Sequence, residues 1–184
     1  MKHFKLLAIL ILFTTGSVEG QKMYTTKTGH VSFFAKAPVA DVDAHNKKVK
    51  ISLDASTGEL TIDITMASFQ FHNKKMDRDA RRNYIEIDKF PQASFIGKIT
   101  GKLEYDKPGT YPVSATGKLK IHGITRDVNE KGTVNVQNGQ ISIHSQFDAQ
   151  LKDYNIDRPK ILGQDMAEDK VQVKLEAHLS ATPK

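Results

Sequence analysis

Apolar and polar residues alternate one by one along most of this chain, and that regularity restricts what it can become. In one stretch, Ile141, Ile143, Ser145, Phe147, Ala149 and Leu151 are interleaved with Ser142, His144, Gln146, Asp148, Gln150 and Lys152. Side chains on a β-strand point to opposite faces in turn, whereas a helix repeats about every 3.6 residues. Strict alternation therefore spells strands with one buried face. The same rhythm runs through Tyr111 to Ile121, Val49 to Leu53, Leu60 to Met66, Phe95 to Leu103 and Val171 to Leu179. Val31, Phe33 and Ala35 predict a first strand, and Val128 to Val136 another.

The punctuation between these runs predicts antiparallel hairpins. Asn138-Gly139 separates two of them and suits the positive backbone angles of a two-residue turn. Ser56-Thr57-Gly58 and Asp106-Lys107-Pro108-Gly109 separate two further pairs. About eight long strands, each apolar on one side, must either stack as a sandwich or close into a barrel. Meander order and long strands favour the barrel, which also leaves no exposed edge to invite aggregation. The fold class expected is all-β, an antiparallel up-and-down barrel with one short helix. That helix is predicted at roughly Lys74 to Asn83, where NKKMDRDARRNY is charged and lacks β-branched residues. The segment Asp157 to Asp169, with Pro159 and Gly163, predicts a loop with one helical turn.

The N-terminus reads as an address. Lys2 and Lys5 precede an apolar run from Leu6 to Phe13, followed by small and polar residues up to Gly20. That run is far shorter than the roughly 20 residues that cross a bilayer, and it matches a secretory leader better than an anchor. Val18 and Gly20 suit a cleavage site. The expected division is a signal peptide over 1–20 and one barrel domain over 21–184, in a periplasmic or secreted setting. The chain of 184 residues has no cysteine, which excludes disulfides, Fe–S clusters, thiol catalysis and Cys-containing zinc sites. A net charge of +6 is mild. It serves solubility at least as readily as attraction to phosphate groups or lipid headgroups.

The apolar faces mix large and small groups. Phe33, Phe69, Phe71, Phe95, Leu119, Ile121 and Phe147 are interleaved with Gly97, Gly101, Ala115, Gly117 and Ala149. A barrel of eight strands either fills its interior with side chains or holds one small ligand. Small inward residues leave room for an elongated apolar molecule, or they relieve crowding where strands bend. Spacing alone leaves both readings open.

Four segments carry a resemblance that bears on this choice. GKLKIHGITRDV, Gly117 to Val128, resembles the G-x-L-T-I-H-G-V-T-K/R-x-V signature of the YceI-like family of exported lipid-binding proteins. MDRDARRNYIEIDKFPQASF, Met76 to Phe95, is similar to that family's helix and KFPxATF region. LKDYNIDRP, Leu151 to Pro159, resembles its L-x-D-F/Y-x-I element, and GHVSFFAKAP, Gly29 to Pro38, followed by DVDAHNKKV, fits its opening. The elements come in the family's order from about Tyr24 to Leu179. The sequence departs at Asp77-Arg78-Asp79-Ala80, where many members show an acidic residue and then HFN, so no head-group histidine is carried over.

The resemblance implies a lipocalin-like barrel whose lumen binds an amphiphilic lipid, either a polyisoprenoid or a quinone-type molecule, with no other cofactor. The lining expected on this basis is Phe33, Met66, Phe69, Phe71, Tyr84, Phe95, Gly117, Leu119, Ile121, Phe147, Ala149, Leu151, Tyr154 and Ile156. Arg78, Arg82, Arg126 and Arg158 are candidates for a diphosphate head group, since guanidinium forks suit phosphate oxygens. Transient contact with a membrane surface and homodimerisation are further partner expectations.

Rival functions find less support in the residues. His30, His45, His72, His122, His144 and His178 form no HxH or HExxH spacing, and there is no nucleophile elbow, phosphate loop or dinucleotide fingerprint. A barrel enzyme acting on a small apolar substrate is the alternative. His122, His144 and His178 are placed on outward faces by the alternation. An outer-membrane barrel is a second alternative. Lysine-rich polar faces, missing aromatic girdles and the ending Ala181-Thr182-Pro183-Lys184 argue against it. No basic stripe interleaved with aromatics points to nucleic acid.

Overall fold

A computed structural model describes residues 22–38, 41–158, 160–161, 164–165 and 168–182. The predicted leader, residues 1–20, lies outside them. Among the described residues there are eleven strands: β1 (Met23–Ala35), β2 (Val42–Asp54), β3 (Glu59–Thr65), β4 (Gln70–Phe71), β5 (Gln92–Thr100), β6 (Gly109–Ile121), β7 (Ile124–Gln137), β8 (Gln140–Gln150), β9 (Lys160–Ile161), β10 (Gln164–Asp165) and β11 (Lys170–Ala181). The eight long ones pair antiparallel in the order β1-β11-β8-β7-β6-β5-β3-β2, and β2 returns to β1. This is the closed up-and-down barrel that the alternation predicts. The short β4 pairs with β2 through Ala44–Phe71 and His45–Gln70. β9 and β10 pair only with each other.

Hairpin chemistry sets the register. Asn138 and Gly139 take φ of 52° and 75°, the left-handed pair of a tight turn between Gln137 and Gln140. Asp54 stabilises the β2–β3 turn. Its carboxylate accepts bonds from the Ser56 amide (2.8 Å) and hydroxyl (2.6 Å), and its own carbonyl accepts from Gly58 N (2.8 Å). His122 (φ 50°) and Gly123 (φ 78°) form a second two-residue turn, joining Ile121 to Ile124. His122 therefore does not lie on an outward strand face, as the alternation predicts. The chain reverses one residue earlier, and the imidazole is carried inward until only 8% of it is exposed.

The alternating faces sort as expected for a water-exposed barrel. Leu60, Ile62, Phe95, Leu119 and Leu175 are buried inside, whereas Lys98, Lys118 and Lys120 stand exposed on the outer wall. One end of the barrel is solid. Tyr24, Leu53, Val134, Val136, Ile141 and Leu179, all at most 3% exposed, meet there. Leu103 and Tyr105 of the β5–β6 loop pack against this group. Burying each aliphatic side chain is worth about 1.5–3 kcal/mol, so this floor anchors the barrel. Tyr105 stacks on Tyr24 at 5.9 Å, and burial pushes its hydroxyl up to about 12, with smaller effects from Tyr24 and Asp54.

Three boundaries move from their predicted places. The strand predicted over Phe95 to Leu103 stops at Thr100, which leaves Leu103 in the β5–β6 loop. The strand from Ile141 ends at Gln150, and Leu151–Tyr154 form a single 3-10 turn instead of continuing the strand. The helical turn thus precedes the 157–169 segment, whose described part holds the β9–β10 pair. The predicted helix at Lys74–Asn83 is split into α1 (Lys74–Asp79) and a wider π turn over Ala80–Tyr84. Asn73 caps it, its side-chain oxygen accepting from the amides of Lys75 (2.8 Å) and Met76 (3.2 Å).

Candidate functional site

Above the floor the barrel is hollow. A cavity of about 760 Å³ occupies the end where β1, β3, β8 and α1 finish, within the range of roughly 300–1,000 Å³ usual for ligand pockets. Along β6 its lining runs from Val113 to Ile121. At ~3.3 Å per residue and a strand tilt of ~40°, that stretch gives a depth of roughly 20 Å. The wall is aliphatic and aromatic at mid-depth, with Leu60, Ile62, Phe95, Leu119 and Val173 among its residues. Phe33 packs against Phe69 and Phe71 at 5.2 and 5.7 Å, which forms one aromatic side of the mouth.

Thirteen of the fourteen residues expected to line the lumen do so: Phe33, Met66, Phe69, Phe71, Tyr84, Phe95, Leu119, Ile121, Phe147, Ala149, Leu151, Tyr154 and Ile156. Gly117 is the exception. It faces Gly97 across β5 and β6, and a Cβ on it would sit 2.4 Å from the Ile96 carbonyl oxygen and 2.5 Å from Gly97 Cα. Gly97 is equally crowded, with the Thr116 carbonyl 2.3 Å from its own would-be Cβ. These two glycines exist to let two strands approach closely, not to widen the lumen. Ala115 and Ala149, in contrast, do border open space.

The four arginines proposed for a head group are not in the cavity wall. Arg78 and Arg82 are exposed on the helical segment, and Arg158 is half-buried. Arg126 is taken up structurally, its Nε donating to the Asp153 carbonyl at 2.9 Å. Arg81, on the same helical segment, ties it to the barrel. Its guanidinium donates to the carbonyls of Ala67 (3.0 Å) and Phe69 and to Asp77 (2.7 Å). Among the described residues, the charged groups that do reach the cavity are Lys75, Asp79, Glu130 and Asp157, and Lys75 is already paired with Asp79 at 2.8 Å.

A second fastening sits at the mouth. His122 directs Nδ1 at the Tyr154 carbonyl (3.1 Å) and Nε2 at Glu86 (3.1 Å), and its ring lies 4.1 Å from that of Phe90. Both ring nitrogens face acceptor oxygens. Lys89, and less strongly His122, hold the Glu86 carboxyl below its usual value. The loop after the helix, the β6–β7 turn and the Leu151–Tyr154 turn are thereby joined at one point. Elsewhere, His30 and His45 lie on the outer wall, 3.1 Å apart, in a chain that ends on Glu176 and Asp43. Among the described residues no three such side chains converge in a metal-binding arrangement.

A closed antiparallel barrel, packed at one end and hollow and apolar at the other, defines the class of lipocalin-like cavity proteins. The chain belongs to the YceI-like family, since the model of the YceI-like domain matches residues 17–179. Among solved structures it resembles a polyisoprenoid binding domain from Saccharophagus degradans implicated in plant cell wall breakdown. The TM-score is 0.72 at 12% identity, covering 89% of this chain and 100% of that one. Burkholderia cenocepacia BcnA matches with TM-score 0.67 at 21% identity over 83% and 96% of the two chains. A UPF0312 protein of Pseudomonas putida strain W619 is 27% identical over 123 residues, which is 64% of this chain and 59% of that protein. The chain thus spans less than two thirds of the length of the curated relatives it matches.

Proposed function

We propose that this protein binds and carries an amphiphilic lipid, a polyisoprenoid or a quinone-type molecule, with its tail in the barrel lumen and without a chemical step. The observation that carries this reading is the apolar cavity of about 760 Å³ in a barrel whose floor is solid. Membership of the YceI-like family, and the likeness of this barrel to that of a polyisoprenoid binding domain, support it. The leader-like residues 1–20 favour an exported setting, periplasmic or secreted, in which a water-exposed carrier exchanges its cargo with a membrane surface. A homodimer is compatible with this role.

The driving force needs no specific polar contact. Each methylene moved from water into the lumen contributes about 0.8 kcal/mol, roughly fourfold in Kd. A series of prenyl alcohols of increasing length, titrated by displacement of a fluorescent fatty probe, tests this. Affinity should climb steeply with each added unit and level off once the roughly 20 Å lumen is full. A flat response from the shortest chain onward would remove the lumen from the binding account.

A further inference from the structure

The ladder between β7 and β8 stops halfway. Pairing runs from Gln137–Gln140 to Gly132–Ser145 and ends there, although β7 continues to Ile124 and β8 to Gln150. Carried onward, the register would set Glu130 against Phe147 and Val128 against Ala149. Instead the two strands part, and all four of these residues line the cavity. Ser145 closes the inner end of this seam, its hydroxyl donating to the Lys131 carbonyl at 2.8 Å where the next rung would stand. The bond from Arg126 to the Asp153 carbonyl spans its outer end. β7 keeps its ladder to β6, and β8 its ladder to β11, along the parted stretch.

Glu130 lies on the inner side of this seam, in phase with Val128, Gly132 and Val134. A carboxylate taken from water into an apolar wall without compensation is costly. Among the described residues, no side chain or main-chain group donates a hydrogen bond to it. Burial raises its carboxyl above the usual value, and the charge of Asp148 adds to this. Asp148 itself points outward and pairs with Lys170 at 3.3 Å. Among the described residues the lining holds three acidic groups, Asp79, Glu130 and Asp157, and one lysine, Lys75, which is paired with Asp79.

We propose that the lumen selects long-chain amphiphiles whose head group carries a hydrogen-bond donor, such as a hydroxyl, amide or ammonium, and that Glu130 at the β7–β8 seam accepts that bond. The inference rests on the lipid-carrier reading and narrows it. A carboxyl accepts a donor whether it is ionised or protonated. A phosphate or diphosphate at the same depth would meet like charge in a wall of low polarity. The parted strands give a polar head a place beside the tail, with water on its far side.

The test compares three probes of one chain length, geranylgeraniol, geranylgeranylamine and geranylgeranyl diphosphate, on the wild type, Glu130→Gln and Glu130→Leu at neutral pH. A hydrogen bond to a charged group is worth about 1.5–3 kcal/mol. The wild type should therefore bind the alcohol and the amine at least about tenfold more tightly than the diphosphate. Glu130→Leu should abolish that preference. The near-isosteric Glu130→Gln keeps an acceptor oxygen and removes the charge, so it should keep the alcohol and weaken the amine relative to it. Equal affinity for all three probes in the wild type, or a ranking unchanged in Glu130→Leu, would overturn the assignment and leave the carrier reading in place. Failure of every probe to bind the wild type would overturn both.

Discussion

Adding one methyl group at position 117 should cost the barrel much of its stability. In Gly117→Ala the new Cβ meets the Ile96 carbonyl oxygen at 2.4 Å and Gly97 Cα at 2.5 Å. Both obstacles are backbone atoms of a paired strand, so no side chain can swing away. Relief requires β5 and β6 to separate where Gly97 and Gly117 face each other. Overpacking costs typically 1–3 kcal/mol and more when the backbone must move, so a loss of about 3 kcal/mol is expected. For a chain of this size that lowers Tm by roughly 10 °C, read by circular dichroism melting. A bulkier residue such as leucine should prevent folding. A melting curve within a degree or two of wild type would show that the strands separate at no cost, and would remove the close-approach argument.

Filling the lumen should have the opposite profile. Ala149 lies on β8 facing the cavity, opposite Val171 on β11. Ala149→Phe projects a ring into open space, so the fold should tolerate it and melting should change by only a few degrees. The ligand, however, loses the volume the ring occupies. Excluding about four methylenes removes about 3 kcal/mol, a weakening of more than a hundredfold. The titration is the same displacement assay used for the prenyl series. Wild-type affinity in Ala149→Phe would mean that the apolar chain binds elsewhere. The two variants thus separate stability from binding, Gly117→Ala striking the wall and Ala149→Phe its contents.

The contrast between these two positions shows what alternation can and cannot reveal. Period-two patterning assigns a side chain to the inner or the outer face, and for Phe95, Leu119, Phe147 and their neighbours that assignment is the whole question. It gives no measure of the distance between strands. Gly117 and Ala149 therefore look alike in the sequence, as small inward residues, although one relieves a backbone contact and the other borders a void. His122 escapes the pattern for another reason. It belongs to a turn, and the His122-Gly123 pair, with its positive backbone angles, is the signal that marks the reversal.

The four arginines lie outside the cavity wall because charge and position are independent. Arg78 and Arg82 sit near the mouth in sequence but face solvent, and Arg126 is occupied by a carbonyl. Glu130 was legible. Val128, Glu130, Gly132, Val134 and Val136 share one phase, so an acid on the inner face follows from the alternation itself. What the sequence does not carry is the parting of β7 from β8, since the pattern of each strand continues unbroken through the stretch where the ladder ends.

Native mass spectrometry of the protein purified from cells without detergent tests the hollow, cargo-bearing barrel most directly. The expected spectrum shows the polypeptide with one additional apolar molecule, released by organic extraction and identified by its fragments as carrying a long prenyl chain. A spectrum of the bare polypeptide, unchanged after incubation with excess prenyl alcohol, would contradict it.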